Sequence, residues 1–307
     1  MYKIFVPIII ASMIGGQQVR AAETCGFSRA FQRPDEGGRQ RVAVYEGTPE
    51  AALSGHRPLA FVSSLKVNTD GTRISYKVDD PRARNGAIND IRNAMRHGRT
   101  IAEFEAVAAA GWEPESSTWR ILSKSVIEQS SDTGKPCVTA DNYLVSMTAD
   151  VAVAGGFNRV GDCDQAKWID ALTIPALVLP GDSPNEFDAR TATTRSLVVV
   201  MTLGDPHRIA YGIVGDKGPA DELGEASVEM NRILNGLPDG SVPRNYEDAV
   251  DHYQAPKSLV LVFPGTPNRL TRPIAPDRVR QAATERFEAW GGEERLTACL
   301  AEIPEAR

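Results

Sequence analysis

Short runs of β-branched and aromatic residues, separated by Gly, Pro and Asp, dominate the hydrophobic pattern of this chain. The runs Leu59 to Val67 and Thr72 to Val78 surround Asn68-Thr69-Asp70-Gly71, which predicts a β-hairpin because Gly supplies the positive φ of the turn. Six later runs are also predicted as strands: Trp119 to Ile127, Tyr143 to Ala149, Ala176 to Leu179, Ser196 to Leu203, Ile209 to Val214 and Ser258 to Phe263.

Helical spacing of apolar residues occurs in fewer segments. Ile88, Ile91 and Met95 lie at i, i+3 and i+7, which predicts an amphipathic helix over 85–96. Further helices are predicted over 101–110, 224–236, 277–290 and 296–300. Many short strands with few intervening helices predict a β-rich α+β fold with a β-barrel-like core, peripheral helices and a C-terminal helix.

The start of the chain has the pattern of an export signal. Lys3 precedes an apolar run from Ile4 to Ile14, and the small residue Ala21 ends a Val-Arg-Ala cleavage pattern. Residues 1–21 are therefore predicted to be a signal peptide, with a retained N-terminal anchor as the alternative. The remaining chain divides into an N-terminal arm (22–55), a main domain carrying the candidate chemistry (56–265), and a linker with a C-terminal helical extension (266–307).

The cysteines agree with an oxidising compartment. Cys25, Cys137, Cys163 and Cys299 form an even set without a C-x-x-C pair, which predicts two disulfides in a secreted or periplasmic protein. Three pairings are possible, and the simplest joins Cys137 to Cys163 and Cys25 to Cys299.

Composition and net charge restrict the classes of partner expected for this chain. Hydrophobic residues make up 42% of the chain and charged residues 24%, as in ordinary folded domains. A formal net charge of -6 argues against a nucleic-acid partner. The four histidines are scattered, so neither a metal nor another cofactor is predicted.

Two carboxylates flank the Gly-rich turn after the strand 209–214. Asp216 stands between Gly215 and Lys217-Gly218, where backbone donors favour an ionised base. Glu225 is predicted in the first turn of the next helix, where apolar neighbours would raise its pKa and suit a general acid. The alternative is structural: Asp216 forms the turn, and Glu225 complements the helix dipole.

Four segments, in the same order, resemble the glycoside hydrolase family 75 chitosanases over roughly 59–264. The most specific is Val214-Gly215-Asp216 followed by Gly218-Pro219 and Gly224-Glu225-Ala226-Ser227. The others are Lys66 to Gly71 before Tyr76 and Asp79-Asp80, Tyr143 to Thr148, and Ile174 to Gly181. The Gly-Asp segment is also similar to the signature of double-psi β-barrels, which implies a six-stranded barrel of that kind.

The resemblance implies endo-hydrolysis of β-1,4-linked glucosamine polymers with inversion, with Asp216 as base and Glu225 as acid. The substrate is a polysaccharide, chitosan or a related amino-sugar polymer, and no membrane partner is expected after signal cleavage. Because glucosamine units are cationic, four further acidic residues are candidate substrate ligands: Asp79, Asp80, Asp170 and Asp182. Tyr76 and Lys217 are candidate supporting residues. Two alternatives stay open, a peptidoglycan-cleaving hydrolase and a non-catalytic glycan-binding barrel.

Overall fold

The computed structural model describes residues 26–35, 37–147, 150–218 and 221–306. The predicted signal peptide and Cys25 lie outside these ranges. The strands are β1 (Ser28–Pro34), β2 (Arg41–Glu46), β3 (Leu59–Asn68), β4 (Tyr76–Lys77), β5 (Tyr143–Leu144), β6 (Ala176–Leu179), β7 (Leu197–Thr202), β8 (Ile209–Lys217), β9 (Glu225–Ser227) and β10 (Ala255–Phe263). The helices are α1 (Ile101–Ala109), α2 (Glu115–Ile121), α3 (Glu186–Ala189), α4 (Val228–Asn235), α5 (Tyr246–His252), α6 (Pro276–Trp290) and α7 (Gly292–Cys299).

Six strands form a closed mixed barrel in the order β3-β10-β7-β8-β6-β9. The pairs β6–β8 and β3–β9 are parallel, and the other four are antiparallel. The pairing of β9 with β3 closes the barrel. This confirms the predicted fold, a β-rich α+β protein with a six-stranded double-psi β-barrel-like core, peripheral helices and a C-terminal helix. Strands β1 and β2 extend the sheet from the first half of β3.

Alternating side chains fill the barrel interior. Val198 and Val200 of β7 point inward, whereas Val199 and Met201 point to the opposite face. The inward set is fully buried and includes Leu59, Phe61, Leu177, Leu179, Val214, Ala226, Val260 and Val262. The barrel is therefore a packed core, and any substrate must bind on its outside or at its rim.

Helix α6 covers part of the outer face of β7 and β8. Its apolar stripe is buried as predicted: Val279, Ala283, Phe287 and Trp290. The rings of Phe287 and Trp290 stack, and Phe287 meets the Tyr211 ring of β8 edge-on. Within the described ranges, no helix has both the length and the apolar character needed to cross a membrane.

The predicted hairpin over 59–78 is wrong. Strand β3 pairs with β2, β9 and β10, whereas the short β4 pairs with β5. The intervening residues form a compact polar loop, because the buried Ser75 hydroxyl donates to the carbonyl of Thr69 and shares a 2.8 Å hydrogen bond with Thr72. Local side-chain hydrogen bonds of this kind compete with strand pairing.

Two other predicted elements change type. The predicted helix 85–96 contains only a 3-10 turn, Ile91–Ala94, capped by the Asp90 side chain. The predicted strand from Trp119 to Ile127 begins inside α2. In both segments apolar residues are buried in the same satellite cluster, so burial was predictable but the backbone conformation was not.

A disulfide and a buried ion pair stabilise the segment 126–168. Cys137 is bonded to Cys163, which confirms one predicted pairing. The other pairing involves Cys25, outside the described residues. Beside this disulfide, the fully buried Lys167 ammonium pairs with Glu128, which also accepts hydrogen bonds from Gly161 N (2.7 Å) and Trp168 Nε1 (2.7 Å).

Candidate active site

Asp216 and Glu225 lie on the two strands that flank β6. In the register of the sheet, both are partners of Val178. Directly paired residues present their side chains to the same face, so the two carboxylates share the outer face of the barrel. Two strand spacings separate their Cα atoms by about 9.6 Å.

Gly215 is the residue that turns Asp216 outward. Leu177 pairs with Val214 and Val178 pairs with Asp216, which leaves Gly215 as an extra residue in β8. Because Val214 points into the barrel, simple alternation would point Asp216 inward as well, and the bulge reverses this. A Cβ at position 215 would lie 2.6 Å from the Cβ of Ala176, so the bulge requires glycine.

Glu225 begins strand β9. Its predicted position in the first turn of a helix is therefore wrong. Helix α4 begins three residues later because Ser227 is its N-cap, accepting the N–H of Met230 at 3.1 Å. The Ser227 hydroxyl also donates to the carbonyl of Ile174 at 2.8 Å, which fixes β9 against the chain entering β6. Glu225 therefore rests on a backbone held by strands on both sides.

The Glu225 side chain leans across Val178 towards the end of β8. A Cβ built at Gly218 would lie 3.1 Å from Glu225 Oε2 and 2.7 Å from Val178 Cγ1. Gly218 follows Asp216 by two residues, so Glu225 Oε2 lies close to the end of β8, the strand that carries Asp216. Because Gly218 has no side chain, the Glu225 carboxylate can occupy the space beside it.

A third carboxylate, Asp70, was not among the predicted site residues. It lines a small pocket on the outer face together with Asp216. Its Oδ1 accepts the Tyr76 hydroxyl at 2.7 Å and the Ser146 hydroxyl at 3.4 Å. The remaining pocket walls come from four barrel segments and the chain before β6: Asn68, Ile169, Ala171, Ala176, Val178, Gly215 and Ser227.

Burial raises the pKa of Asp70, and the hydrogen bonds from Tyr76 and Ser146 offset only part of that shift. Asp70 as a whole is half-buried, and its Oδ1 is held by the two hydroxyl donors. Burial also raises the pKa of Tyr76 well above its ordinary value, and the Asp70 and Glu225 carboxylates add to this. Tyr76 therefore stays protonated and acts as a donor to Asp70 (2.7 Å).

The signal for Asp70 was present in the sequence. It belongs to the Lys66 to Gly71 segment that contributes to the family resemblance. Its proximity to Asp216 depends on β3 lying two strands from β6 across β9, which no local pattern reveals.

Most of the predicted substrate-binding acids are engaged elsewhere. Asp182 pairs with Arg33 at 2.7 Å, and the exposed Asp79 lies 3.7 Å from Lys77. Asp80 accepts the backbone N–H groups of Arg84 (3.0 Å) and Asn85 (2.7 Å), so it holds a loop.

Asp170, Tyr76 and Lys217 have different positions. Asp170 stands between two pocket-lining residues; burial raises its pKa, and Arg73 approaches it at 3.4 Å. Tyr76 belongs to the site through Asp70. The Lys217 ammonium pairs with Asp188 at 2.6 Å, whereas its backbone N–H donates to Asp216 Oδ1 at 2.7 Å.

The described residues contain no group of three His, Cys, Asp or Glu side chains arranged to hold a metal ion. No protein-family model matches the chain, and no curated protein is significantly similar to it.

Proposed function

We propose that this protein is a glycoside hydrolase whose acid and base are Glu225 and Asp216. The observation that carries the proposal is the pairing of both residues with Val178, which sets two carboxylates on one outward face. Hydrolysis with inversion uses carboxyl groups about 6.5–9.5 Å apart, with room for a water molecule between them. The backbone separation of about 9.6 Å is compatible with that range once the side chains converge.

In the proposed mechanism, Glu225 protonates the departing glycosidic oxygen while Asp216 removes a proton from the attacking water. The backbone N–H of Lys217 donates to Asp216 Oδ1 at 2.7 Å and so orients this carboxylate for the attacking water. Asp70, whose pKa is raised by burial, lines the same pocket as Asp216 and can hydrogen-bond a sugar hydroxyl beside it.

The proposed substrate is a β-1,4-linked amino-sugar polymer, with chitosan as the first to test. A second candidate is the glycan strand of peptidoglycan. The ion pairing of Asp182 with Arg33 and of Asp79 with Lys77 favours it, because carboxylates already paired with cations have less attraction for the ammonium groups of chitosan.

Reducing-end release from chitosan and from peptidoglycan tests the proposal directly. Proton NMR of the first products reads the anomer, and an inverted anomer supports the acid and base geometry. Cleavage of neither polymer, with binding retained, would identify a glycan-binding barrel instead. Cleavage of peptidoglycan alone would establish the second substrate.

Gly218→Ala is expected to lower the turnover rate about tenfold, because its new Cβ displaces the Glu225 carboxylate and small misplacements of this kind are costly. Gly204→Ala is the matched control, since no heavy atom lies within 4 Å of a Cβ at that position. Both variants are compared by initial rates on the cleaved polymer. Equal rates for the two variants would contradict the proposed position of the Glu225 carboxylate.

Asp70→Asn is expected to make the protein's stability less dependent on pH. Because the pKa of Asp70 is raised in the folded state, folding favours its protonated form, and wild-type stability falls as pH rises above the ordinary range of a carboxyl group. Asn cannot ionise and still accepts the Tyr76 hydroxyl. Urea unfolding at acidic and neutral pH should show the variant gaining relative to wild type as pH rises; an unchanged difference would contradict the shift.

A further inference from the structure

A second surface, separate from Asp70, Asp216 and Glu225, is rich in arginine. Four arginines line an open groove of about 920 Å³ between the loop 80–99, the start of α1 and the start of α5. Two carboxylates, Asp90 and Glu247, share its walls. The four guanidinium groups are Arg82, Arg84, Arg92 and Arg99, and all four residues are exposed.

Two of these guanidinium groups make no close ion pair. Arg92 binds Asp90 through Nε (2.8 Å) and Nη2 (2.7 Å), and Arg99 lies 3.2 Å from Glu103. Neither Arg82 nor Arg84 makes an ion pair with a carboxylate in the described part of the chain. Since Glu247 offsets one of them, the groove keeps a small excess of positive charge in a protein whose formal net charge is -6.

The backbone that carries Arg82 and Arg84 is held in place before any ligand arrives. Between them, Ala83 is buried, and its carbonyl accepts the N–H of Tyr246 at 3.0 Å. On the other side the Asp80 carboxylate accepts the N–H of Arg84 at 3.0 Å. A fixed backbone lowers the entropic cost of presenting two guanidinium groups to an anion.

We propose that this groove binds an acidic polysaccharide, with Arg82 and Arg84 pairing with its carboxylate or sulfate groups. Guanidinium groups bind such oxyanions through paired N–H donors. Tyr246, 39% exposed at the groove wall, offers a ring face to a sugar.

The groove adjoins the candidate active site through two successive residues. Asn89 donates to the Tyr76 hydroxyl at 2.8 Å, and Asp90 faces the groove. The choice of a glycan as ligand rests on the proposed function, whereas anion binding in the groove does not. An assay that measures binding without turnover therefore distinguishes failure of anion binding in the groove from failure of the proposed hydrolase function.

Binding of polygalacturonate and dextran sulfate, with neutral dextran and a single-stranded oligonucleotide as comparators, tests the proposal by affinity electrophoresis and calorimetry. The full mature chain should bind both acidic polysaccharides, more weakly as salt rises, and should not bind neutral dextran. The double variant Arg82→Gln/Arg84→Gln is expected to bind about tenfold more weakly.

The matched control is Arg39→Gln/Arg120→Gln, which changes the net charge equally at two exposed arginines outside the groove that also make no close ion pair in the described part of the chain. This control should bind like the wild type. Equal weakening in both double variants would show that overall charge, not the groove, determines binding, and would overturn the proposal. Binding of the oligonucleotide alone, or of no polyanion at low salt, would overturn it as well. None of these binding measurements depends on polymer cleavage by either double variant.

Discussion

Glu225→Gln is expected to lower the turnover rate on the cleaved polymer about a thousandfold while leaving the fold intact. Gln has nearly the same shape and occupies the same space beside Gly218, but it cannot donate a proton to the departing oxygen. The loss should appear in kcat, with little change in KM, because the proton transfer occurs only in the transition state. Initial rates of reducing-end release measure it.

Glu222→Gln is the matched control, since Glu222 lies in the segment that leads into β9 and is also half-buried. It should keep wild-type activity. The pH profile then separates the two roles: Glu225→Gln should remove the limb set by the acid, and Asp216→Asn the limb set by the base. Undiminished activity of Glu225→Gln, in a protein that unfolds like the wild type, would contradict the assignment of Glu225.

Breaking the buried pair between Lys167 and Glu128 is expected to have the largest effect on stability. Glu128→Gln should lower the free energy of unfolding by about 3 kcal/mol, because it leaves the buried Lys167 ammonium with the 36% exposed Asp162 as its one remaining carboxylate partner among the described residues. Both side chains are fully buried, and Glu128 also accepts the N–H of Cys163 at 3.2 Å beside the disulfide. Urea unfolding of wild type and variant measures the difference.

Asp277→Asn is the control for an exposed pair. Asp277 lies 2.7 Å from Arg280, with its side chain 93% exposed, and its removal should change the free energy of unfolding by less than about 1 kcal/mol. If Glu128→Gln also cost less than about 1 kcal/mol, the segment 126–168 would depend on its disulfide and apolar packing alone.

Five of the six barrel strands, all except β9, were predictable because their apolar composition requires burial. Runs such as 197–202 and 255–263 carry several β-branched residues in succession, and such runs are typical of strands covered on both faces. The stripe of α6 was predictable for a similar reason, since its apolar residues recur at helical spacing.

Elements defined by distant partners were not predictable. Strand β9 is three residues long and has no period of its own; it is extended because it lies between β3 and β6. The same limit applies to Asp70, which joins the site through the closure of the barrel. The outward direction of Asp216 depends on a one-residue bulge at Gly215, and only the register with β6 reveals it.

The closure of the barrel has a consequence for the order in which the molecule acquires its chemistry. Lys66 pairs with Glu225, about half the chain length away, and such distant pairings form late because loop closure carries an entropic cost. The acidic groups consequently meet only after the chain through Ser227 has been made and folded back. An emerging chain that has built the first half of its sheet already carries Asp70 but lacks Asp216 and Glu225, so under the proposed function cleavage could begin only after β9 has joined β3 and β6.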